Sequence, residues 1–433
     1  GDAPVTYHVA HGQGLSRIRH RRADLDVSAT WCVDPDTSVK QVRIRLINRS
    51  RRTRRLRVIG IAEWIMGAGR ADRSTTSTAS LTQRLHPHAT HDPDAPDRRV
   101  IALTCTQRDD SAGFGRSTAF LAVTDNISDV PDWTCDRREC FDARGRLTVP
   151  DQYGLRSGEG LDPCAALATR RSLAAGESGE CVFLLGHGAD PEQARQLAVT
   201  AAGMPAQQRV ERAVAHWNEL LGATAVTTPD PLFDAMVNRW LLYQTIVCRL
   251  WAKAGFYQAG GAFGFRDQLQ DAMALAWAKP EMLREQILRS ASRQFPEGDV
   301  QHWWHAPTGA GVRTHFSDDL LWLPLACAHY VHSTGDAALL DEQVPFIEGT
   351  QIPAGAEDAY YVPTVSSETA SVYEHGARTL DRSLKVGIHG LPLMGTGDWN
   401  DGMNRVGAEG HGESVWLGWF LCRVVEDYTP LAM

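Results

Sequence analysis

No stretch of this 433-residue chain approaches the roughly 18 uninterrupted apolar residues that a membrane-spanning helix needs. The opening GDAPVTYHVAHGQG lacks the basic-then-apolar layout of a secretory signal. Positive charge is not in excess either. The net charge of −8 argues against nucleic acid as the main partner. Internal repeats and low-complexity tracts are missing, so a solenoid or a disordered array is excluded. The nine cysteines are odd in number, and several lie in apolar runs such as CVFLL and LPLACAHY. That predicts buried free thiols in a reducing compartment, not a disulfide framework. Cys135 and Cys140 lack the tight spacing and the second pair of a zinc site. An initiator Met is absent, and the chain stops on DYTPLAM just past a helix-like segment. Both features are expected of a piece of a longer protein.

What is present is a globular composition, with 43% hydrophobic and 22% charged residues, in a chain too long for one core. The first half alternates with the period of a strand. In VRIRLIN, Val42, Ile44 and Leu46 face one way and Arg43 and Arg45 the other. LRVIGIAEWIM (56–66) follows after the basic turn NRSRRTRR (48–55), which predicts an antiparallel hairpin with a solvated connection. VIALTCT (100–106), STAFLAVTD (117–125) and ECVFLLGHG (180–188) are further strands. Together they predict an antiparallel β-sandwich over residues 1–188. Asp190 followed by Pro191 starts a helical linker, placed at 189–229. From 230 to 433 the pattern is mostly helical, with helices expected near 231–253, 268–278, 280–294, 317–333, 337–345, 369–384 and 413–427. The segments between them, GGAFGFRDQ, QHWWHAPTG, YYVPTVSSE and GTGDWNDGMN, read as loops rich in aromatics and acids. The fold class is therefore α+β and multidomain: a sandwich, a helical linker and an (α/α)6 toroid, the last cut short of its full set of hairpins.

Those loops hold the residue types of a sugar site. Trp303, Trp304, Trp399 and Tyr360 offer flat apolar surfaces for a pyranose face. Arg266, Asp267, Gln268, Arg313 and Asn400 can fix hydroxyls. Asp398 and Asp401 can supply the proton that a leaving oxygen needs. Each also has a plainer reading. Trp303 and Trp304 can be core. Asp398 can cap a turn and Asp401 can sit in an ordinary DG turn. Asp318 and Asp319, after Ser317 at the head of an apolar helix, read as capping residues. Arg266 and Asp267 can be a structural ion pair. The His302–His305 spacing suggests a metal, but no third ligand joins it. GAFGFRDQLQD is no P-loop, because it lacks the GK[ST] ending; Gly261 and Gly264 would let a ligand approach the backbone, and Arg266 can grip an oxyanion.

GGAFGFRDQLQDAMAL, HWWHAPTGAGVRTHFSDDLLWLPLA, SVYEHGARTLDRSL and HGLPLMGTGDWNDGMNRVG resemble the inverting glycoside phosphorylases that include cellobiose and chitobiose phosphorylase. Within that family they look most like the phosphorylase-like C-terminal region of cyclic β-1,2-glucan synthase. The resemblance implies cleavage of a β-1,2-glucosidic bond by inorganic phosphate as co-substrate, with inversion to α-glucose 1-phosphate and no metal or other cofactor. It implies that Asp401 is the single general acid and that Trp399 lines the sugar subsite. Arg266 would hold phosphate and Asp267 the sugar hydroxyls, with Gln268, Trp303, Trp304, Asp398 and Asn400 around the substrate. The family's further phosphate ligands, a His and a Thr, come from later in the barrel than this chain extends. The resemblance also implies that the region is joined to a membrane-embedded glycosyltransferase at the cytoplasmic face of a bacterial inner membrane, where it trims glucan, and it allows a homodimer. As a general acid, Asp401 is expected to be buried beside Trp399 in a closed cleft. Two other readings stay open. An inverting hydrolase would need a second carboxylate ~6.5–9.5 Å from Asp401, with Glu368 and Asp319 as candidates. A non-catalytic glucan-binding or regulatory module would need no acid at all.

Overall fold

The computed structural model describes residues 5–67, 69–85, 98–110, 113–126, 130–223, 225–252 and 261–432. The chain folds into two compact units, Gly1–Asn218 and Glu219–Met433.

The first unit is built from β1 (Tyr7–Gly12), β2 (Leu15–Arg22), β3 (Leu25–Val33), β4 (Lys40–Asn48), β5 (Arg54–Glu63), β6 (Thr76–Arg84), β7 (Arg98–Gln107), β8 (Thr118–Asn126), β9 (Trp133–Asp136), β10 (Pro163–Leu173) and β11 (Ser178–Gly188). Helices α1 (Pro191–Gly203) and α2 (Ala206–Leu221) follow. An eight-stranded sheet runs in the order β1-β2-β3-β4-β11-β8-β7-β6, and a three-stranded sheet in the order β5-β10-β9. All the pairings are antiparallel. The sequence reading of an antiparallel sandwich is what the chain forms.

Strand period explains why VIALTCT is apolar at nearly every position. Ile101, Leu103 and Cys105 point between the sheets, against Trp133, Ala165 and Leu167. Val100 and Ala102 point to the other face, where they meet Ala194, Ala198 and Ala201 of α1. Both faces of this strand are therefore covered. α1 is fixed at its head by Asp190, whose side chain accepts from the Gln193 N–H, with Pro191 in the first turn. The stripe of Ala at spacings of four and three lets that helix lie close on the sheet. α2 continues along the same unit through Val210 and Ala213, which pack on Cys32 and Leu15.

One expectation fails here. β4 and β5 do not form a hairpin: β4 pairs with β3 and β11, whereas β5 pairs with β10 in the other sheet. The basic segment between them is a crossover from sheet to sheet. Asn48 holds its start, donating to the carbonyl oxygens of Arg52, Leu173 and Ala174. Local alternation gives a strand's period but not its partner.

The second unit opens with an irregular helix in which α3 (Pro231–Ala235) and α4 (Leu241–Gln244) alternate with π turns at Met236–Trp240 and Thr245–Trp251. β12 (Ala262–Gly264), α5 (Phe265–Ala272), α6 (Pro280–Ala291), β13 (Gln301–His305), β14 (Ala310–Thr314) and α7 (Asp319–Thr334) come next. They are followed by β15 (Gln343–Glu348), β16 (Asp358–Tyr361), β17 (Thr364–Ser371), α8 (Val372–Ser383) and α9 (Val415–Tyr428). α5, α7 and α9 pack in that order, with α6 and α8 behind them, which is the two-layer pattern of an α/α toroid. α7 is apolar all round and buried along most of its length, as a helix between two layers must be. It ends at Gly335 in the left-handed conformation, φ 73°.

The supposed loops are partly sheet. QHWWH and AGVRT form a hairpin in the order β12-β13-β14-β16, and β15 pairs with β17. The expected helix over 337–345 is a 3₁₀ turn, Ala337–Asp341, that passes into β15. In β15 Val344, Phe346 and Ile347 are buried, and pairing with β17 overrides a short helical pattern. β12, β13 and β14 and the N-terminal ends of α5, α7 and α9 gather at one end of the unit.

Candidate active site

At that end, the first turn of α5 carries Arg266. Gly264 precedes it as N-cap, and Gln268 reaches back to accept the Gly264 N–H while donating to the Arg249 carbonyl 3.4 Å away. Arg266 is thereby turned inward and buried. Its guanidinium faces three carboxylates. Nη2 donates to both oxygens of Asp401 at 2.9 and 3.0 Å, and Nη1 to Asp318 Oδ2 at 3.3 Å. Nε lies 3.6 Å from Asp267 Oδ1. Burial works against its charge, but Asp318, Asp319 and Asp401 outweigh it and hold the Arg266 pKa above the ordinary value.

Behind Arg266 sit two acids at the head of α7. Asp318 is fully buried; its Oδ2 accepts from Arg266 and from Trp322 Nε1 at 3.1 Å, and its Oδ1 has no partner. Burial, reinforced by Asp319, pushes the Asp318 pKa up to about 7 against the pull of Arg266 and Trp322. Asp319 Oδ2 is 2.7 Å from His302 Nδ1. Burial opposes charge on His302, but Asp319 outweighs it and raises the His302 pKa. The ring of His302 stacks on Phe316 with centroids 4.4 Å apart. Neither acid is the simple cap expected of it. Asp318 makes no side-chain bond to the helix N-terminus.

The GTGDWNDGMN loop is pinned at its base. Phe316 bridges to both Gly395 and Gly397. Gly395 has φ 65°, and a Cβ there would stand 1.9 Å from the His315 carbonyl oxygen, so only glycine fits. Asp398 is buried and accepts from the Asn400 N–H at 2.9 Å, from Asn400 Nδ2 at 3.2 Å and from Ser414 Oγ at 2.7 Å. Ser414 also caps α9 through the Leu417 N–H. With both ends held, the tip presents Trp399 at 50% exposure and Asp401 at 56% side-chain exposure. The Arg266 guanidinium lies 5.9 Å from the centroid of Trp399.

The structure thus gathers Arg266, Asp267, Trp399 and Asp401 into one open group. The expected burial of Asp401 is not found: the carboxylate is half exposed and bonded to Arg266. Several other candidates serve the fold. Trp304 is 1% exposed and stacks on Phe263 at 5.5 Å, because neighbours on a strand face opposite ways. Trp303, on the outer face of β13, packs against Tyr360 at 5.7 Å, and Tyr360 is exposed. Arg313 is locked into Asp299 at 2.6 and 2.7 Å and lies 3.8 Å over the Phe295 ring. Gln268, Asp398 and Asn400 brace backbone and loop as described. Glu368 pairs with Arg378, 2.9 Å away. His305 packs edge-on to Trp303. Gly261 is exposed, and Gly260, the first residue of the glycine-rich segment, lies outside the described residues.

Two participants are not evident from sequence. Arg249 bonds Asp271 and lies 3.4 Å from Asp267 Oδ2, which fixes the exposed Asp267. In TIVCRLW it reads as a lone solvated charge, and its only signal is its place on an otherwise apolar segment. Ser414 gives no signal beyond helix capping.

A model of the glycosyl hydrolase 94 catalytic domain matches residues 216–433, and one of the family's supersandwich domain matches residues 1–202. The chain belongs to the glycosyl hydrolase 94 superfamily. Among curated relatives, the cyclic beta-(1,2)-glucan synthase NdvB of Rhizobium meliloti is 40% identical over 98% of this chain and 15% of its own length. The N,N'-diacetylchitobiose phosphorylase of Vibrio proteolyticus is 29% identical over 62% of this chain and 34% of its own. The solabiose phosphorylase of Paenibacillus borealis is 26% identical over 98% of this chain and 51% of its own. The chain therefore spans about half, or much less, of the relatives it matches. Among the described residues no helix is long and apolar enough to cross a membrane.

Proposed function

We propose that this glycosyl hydrolase 94 chain carries the phosphorolytic site for a β-1,2-glucan, with inorganic phosphate as co-substrate and Asp401 as the proton donor. The observation that carries the reading is the shared nitrogen: Arg266 Nη2 holds Asp401 beside the exposed Trp399. A phosphate that binds Arg266 competes with Asp401 for that nitrogen. Once the cation turns to phosphate, Asp401 leaves the ion pair and is free to relay to the leaving oxygen the proton that hydrogen phosphate brings. A phosphate oxygen then attacks the anomeric carbon from the face opposite the leaving sugar. The glycosidic C–O bond breaks, and Asp401 passes its proton to the departing oxygen. Inversion turns a β-glucoside into α-glucose 1-phosphate. In reverse, the Asp401 carboxylate is the base that an acceptor hydroxyl needs. Trp399 offers the stacking face, and Asp267, steadied by Arg249, accepts sugar hydroxyls.

The choice of β-1,2-linked glucan rests on the likeness to a cyclic beta-(1,2)-glucan synthase and, over a shorter stretch, to a 1,2-beta-oligoglucan phosphorylase of Listeria innocua that is 25% identical over 35% of this chain and 14% of its own length. In a longer protein the same site would shorten glucan beside a membrane-embedded glycosyltransferase at the cytoplasmic face. Incubation with β-1,2-oligoglucan and phosphate is expected to release α-glucose 1-phosphate. Release of free glucose at the same rate without phosphate overturns the reading.

A further inference from the structure

The alternation of VRIRLIN has a use in the first unit that the Arg266 group does not draw on. Val42 and Ile44 of β4 face the smaller sheet, so Arg43 and Arg45 face outward. The register carries that outer face across three strands. Arg17 of β2 stands opposite Thr30 of β3, which stands opposite Arg43 of β4. The next rung is Arg19, Ser28 and Arg45, and the one after it is Arg21, Asp26 and Ile47. Two short hydroxyl side chains on the middle strand thus lie between two banks of arginine on strands roughly 10 Å apart. The result is a trough of about 900 Å³, within the roughly 300–1,000 Å³ of small-molecule sites. α2 closes one end. Its Val210 and Ala213 cover the neighbouring rung of Leu15 and Cys32, and its Gln207 accepts from Arg43 Nη1 at 2.7 Å.

The charges in the trough do not cancel. Arg21 is taken by Asp26, and Arg43 by Glu180 at 2.7 Å. Arg17 leans over the floor to the Thr30 hydroxyl, 3.3 Å away. Among the described residues, Arg17, Arg19 and Arg45 have no carboxylate partner. This local excess of cations stands in a chain whose net charge is −8, so it is not a general property of the surface. No Phe, Tyr or Trp lines the trough among the described residues, so a sugar or a base finds no ring there to stack on.

We propose that this trough binds a small molecule that carries a diphosphate group. Each guanidinium is a planar fork of donors that matches phosphoryl oxygens two at a time. Forks on opposite banks can each grip one phosphoryl group, while the Ser28 and Thr30 hydroxyls donate from the floor. Two linked phosphoryl groups answer to unpaired cations on both banks better than a single phosphate does. The depth favours a soluble ligand over lipid headgroups, because the floor lies below the arginine tips and out of reach of a flat membrane surface.

The proposal does not depend on the reaction assigned to the second unit, and its test reads binding alone. Calorimetric titration of the chain with inorganic pyrophosphate at about 0.15 M salt, where diffuse attraction is largely screened, is expected to show a saturable site. Arg19→Gln together with Arg45→Gln is expected to weaken that site at least about tenfold. Arg51→Gln together with Arg52→Gln removes the same charge from the exposed crossover and is expected to change it less than about twofold. Ser28→Trp fills the floor without changing charge and is expected to weaken binding as the first pair does, with the melting temperature within a few degrees. Inorganic phosphate is expected to bind there at least about tenfold more weakly than pyrophosphate. Unchanged pyrophosphate affinity in the Arg19 and Arg45 variant, as binding at Arg266 alone would give, overturns the proposal. So do equal losses in the two double variants, or phosphatidylglycerol vesicles held through Arg19 and Arg45 by a protein that binds no pyrophosphate.

Discussion

Arg266 and Asp401 meet through a single nitrogen: Nη2 stands 2.9 and 3.0 Å from the two oxygens of the carboxylate, and Nη1 remains on the buried Asp318. The cation is thus shared between an acid that water reaches and one that it does not. A lysine in its place is a single point charge and cannot serve both. Arg266→Lys is expected to raise the KM for phosphate at least about tenfold, a loss of ~1.4 kcal/mol. Steady-state kinetics at varied phosphate checks this; an unchanged KM contradicts the shared-cation role.

The buried Asp318 makes stability fall as pH rises. Its pKa is about 7 in the folded chain, above the ordinary 3.8, so the folded state binds the proton more tightly than the unfolded state does. The penalty is absent below about pH 4 and grows until about pH 7. His302 adds in the same direction, because its raised pKa gives stability that is present below the ordinary 6.5 and lost at higher pH. Asp318→Asn cannot titrate. Relative to the variant, the wild type is expected to lose on the order of 1–3 kcal/mol between pH 5 and pH 8 in urea unfolding. Parallel pH curves for the two proteins contradict the assignment.

Adjacent tryptophans on β13 are predicted to differ. Trp304, buried between Phe263 and Arg293, should cost roughly 3–5 kcal/mol when replaced by alanine. Trp303, on the outer face, should cost less than about 1 kcal/mol. Equal losses in denaturant unfolding would contradict the strand register.

Gly395 anchors the loop that carries the proton donor. With φ 65° and no room for a Cβ beside the His315 carbonyl, Gly395→Ala is expected to cost roughly 1–3 kcal/mol and to displace Trp399 and Asp401. Phosphorolysis should fall more than thermal stability explains. Wild-type turnover in the variant contradicts the pinned loop.

These comparisons mark what the sequence carries. The apolar runs VIALTCT and ECVFLLGHG announce strands, and DP at 190–191 announces α1. The motifs place Arg266, Asp267, Trp399 and Asp401 in one group. Periodicity is silent on partners across distance, so β4 and β5 read as a hairpin although they lie in different sheets. Aromatic-rich segments read as loops because β13 and β14 are only five residues each. The role of a charged residue depends on what faces it. Arg313 and Asp398 look identical to ligand-binding residues until Asp299 and Ser414 are found against them. Asp318 reads as a helix cap until Arg266 and Trp322 turn its side chain inward.

Asp401 itself is tested most directly by changing how much its proton matters. Replacement by asparagine should lower phosphorolysis of β-1,2-oligoglucan by roughly 10²–10⁴-fold, the usual worth of a general acid. β-Glucosyl fluoride needs little help to lose its leaving group, so phosphorolysis of the fluoride by Asp401→Asn should stay within about tenfold of wild type. Equal losses on both substrates, or no loss on the oligoglucan, would show that Asp401 is only the ion-pair partner of Arg266.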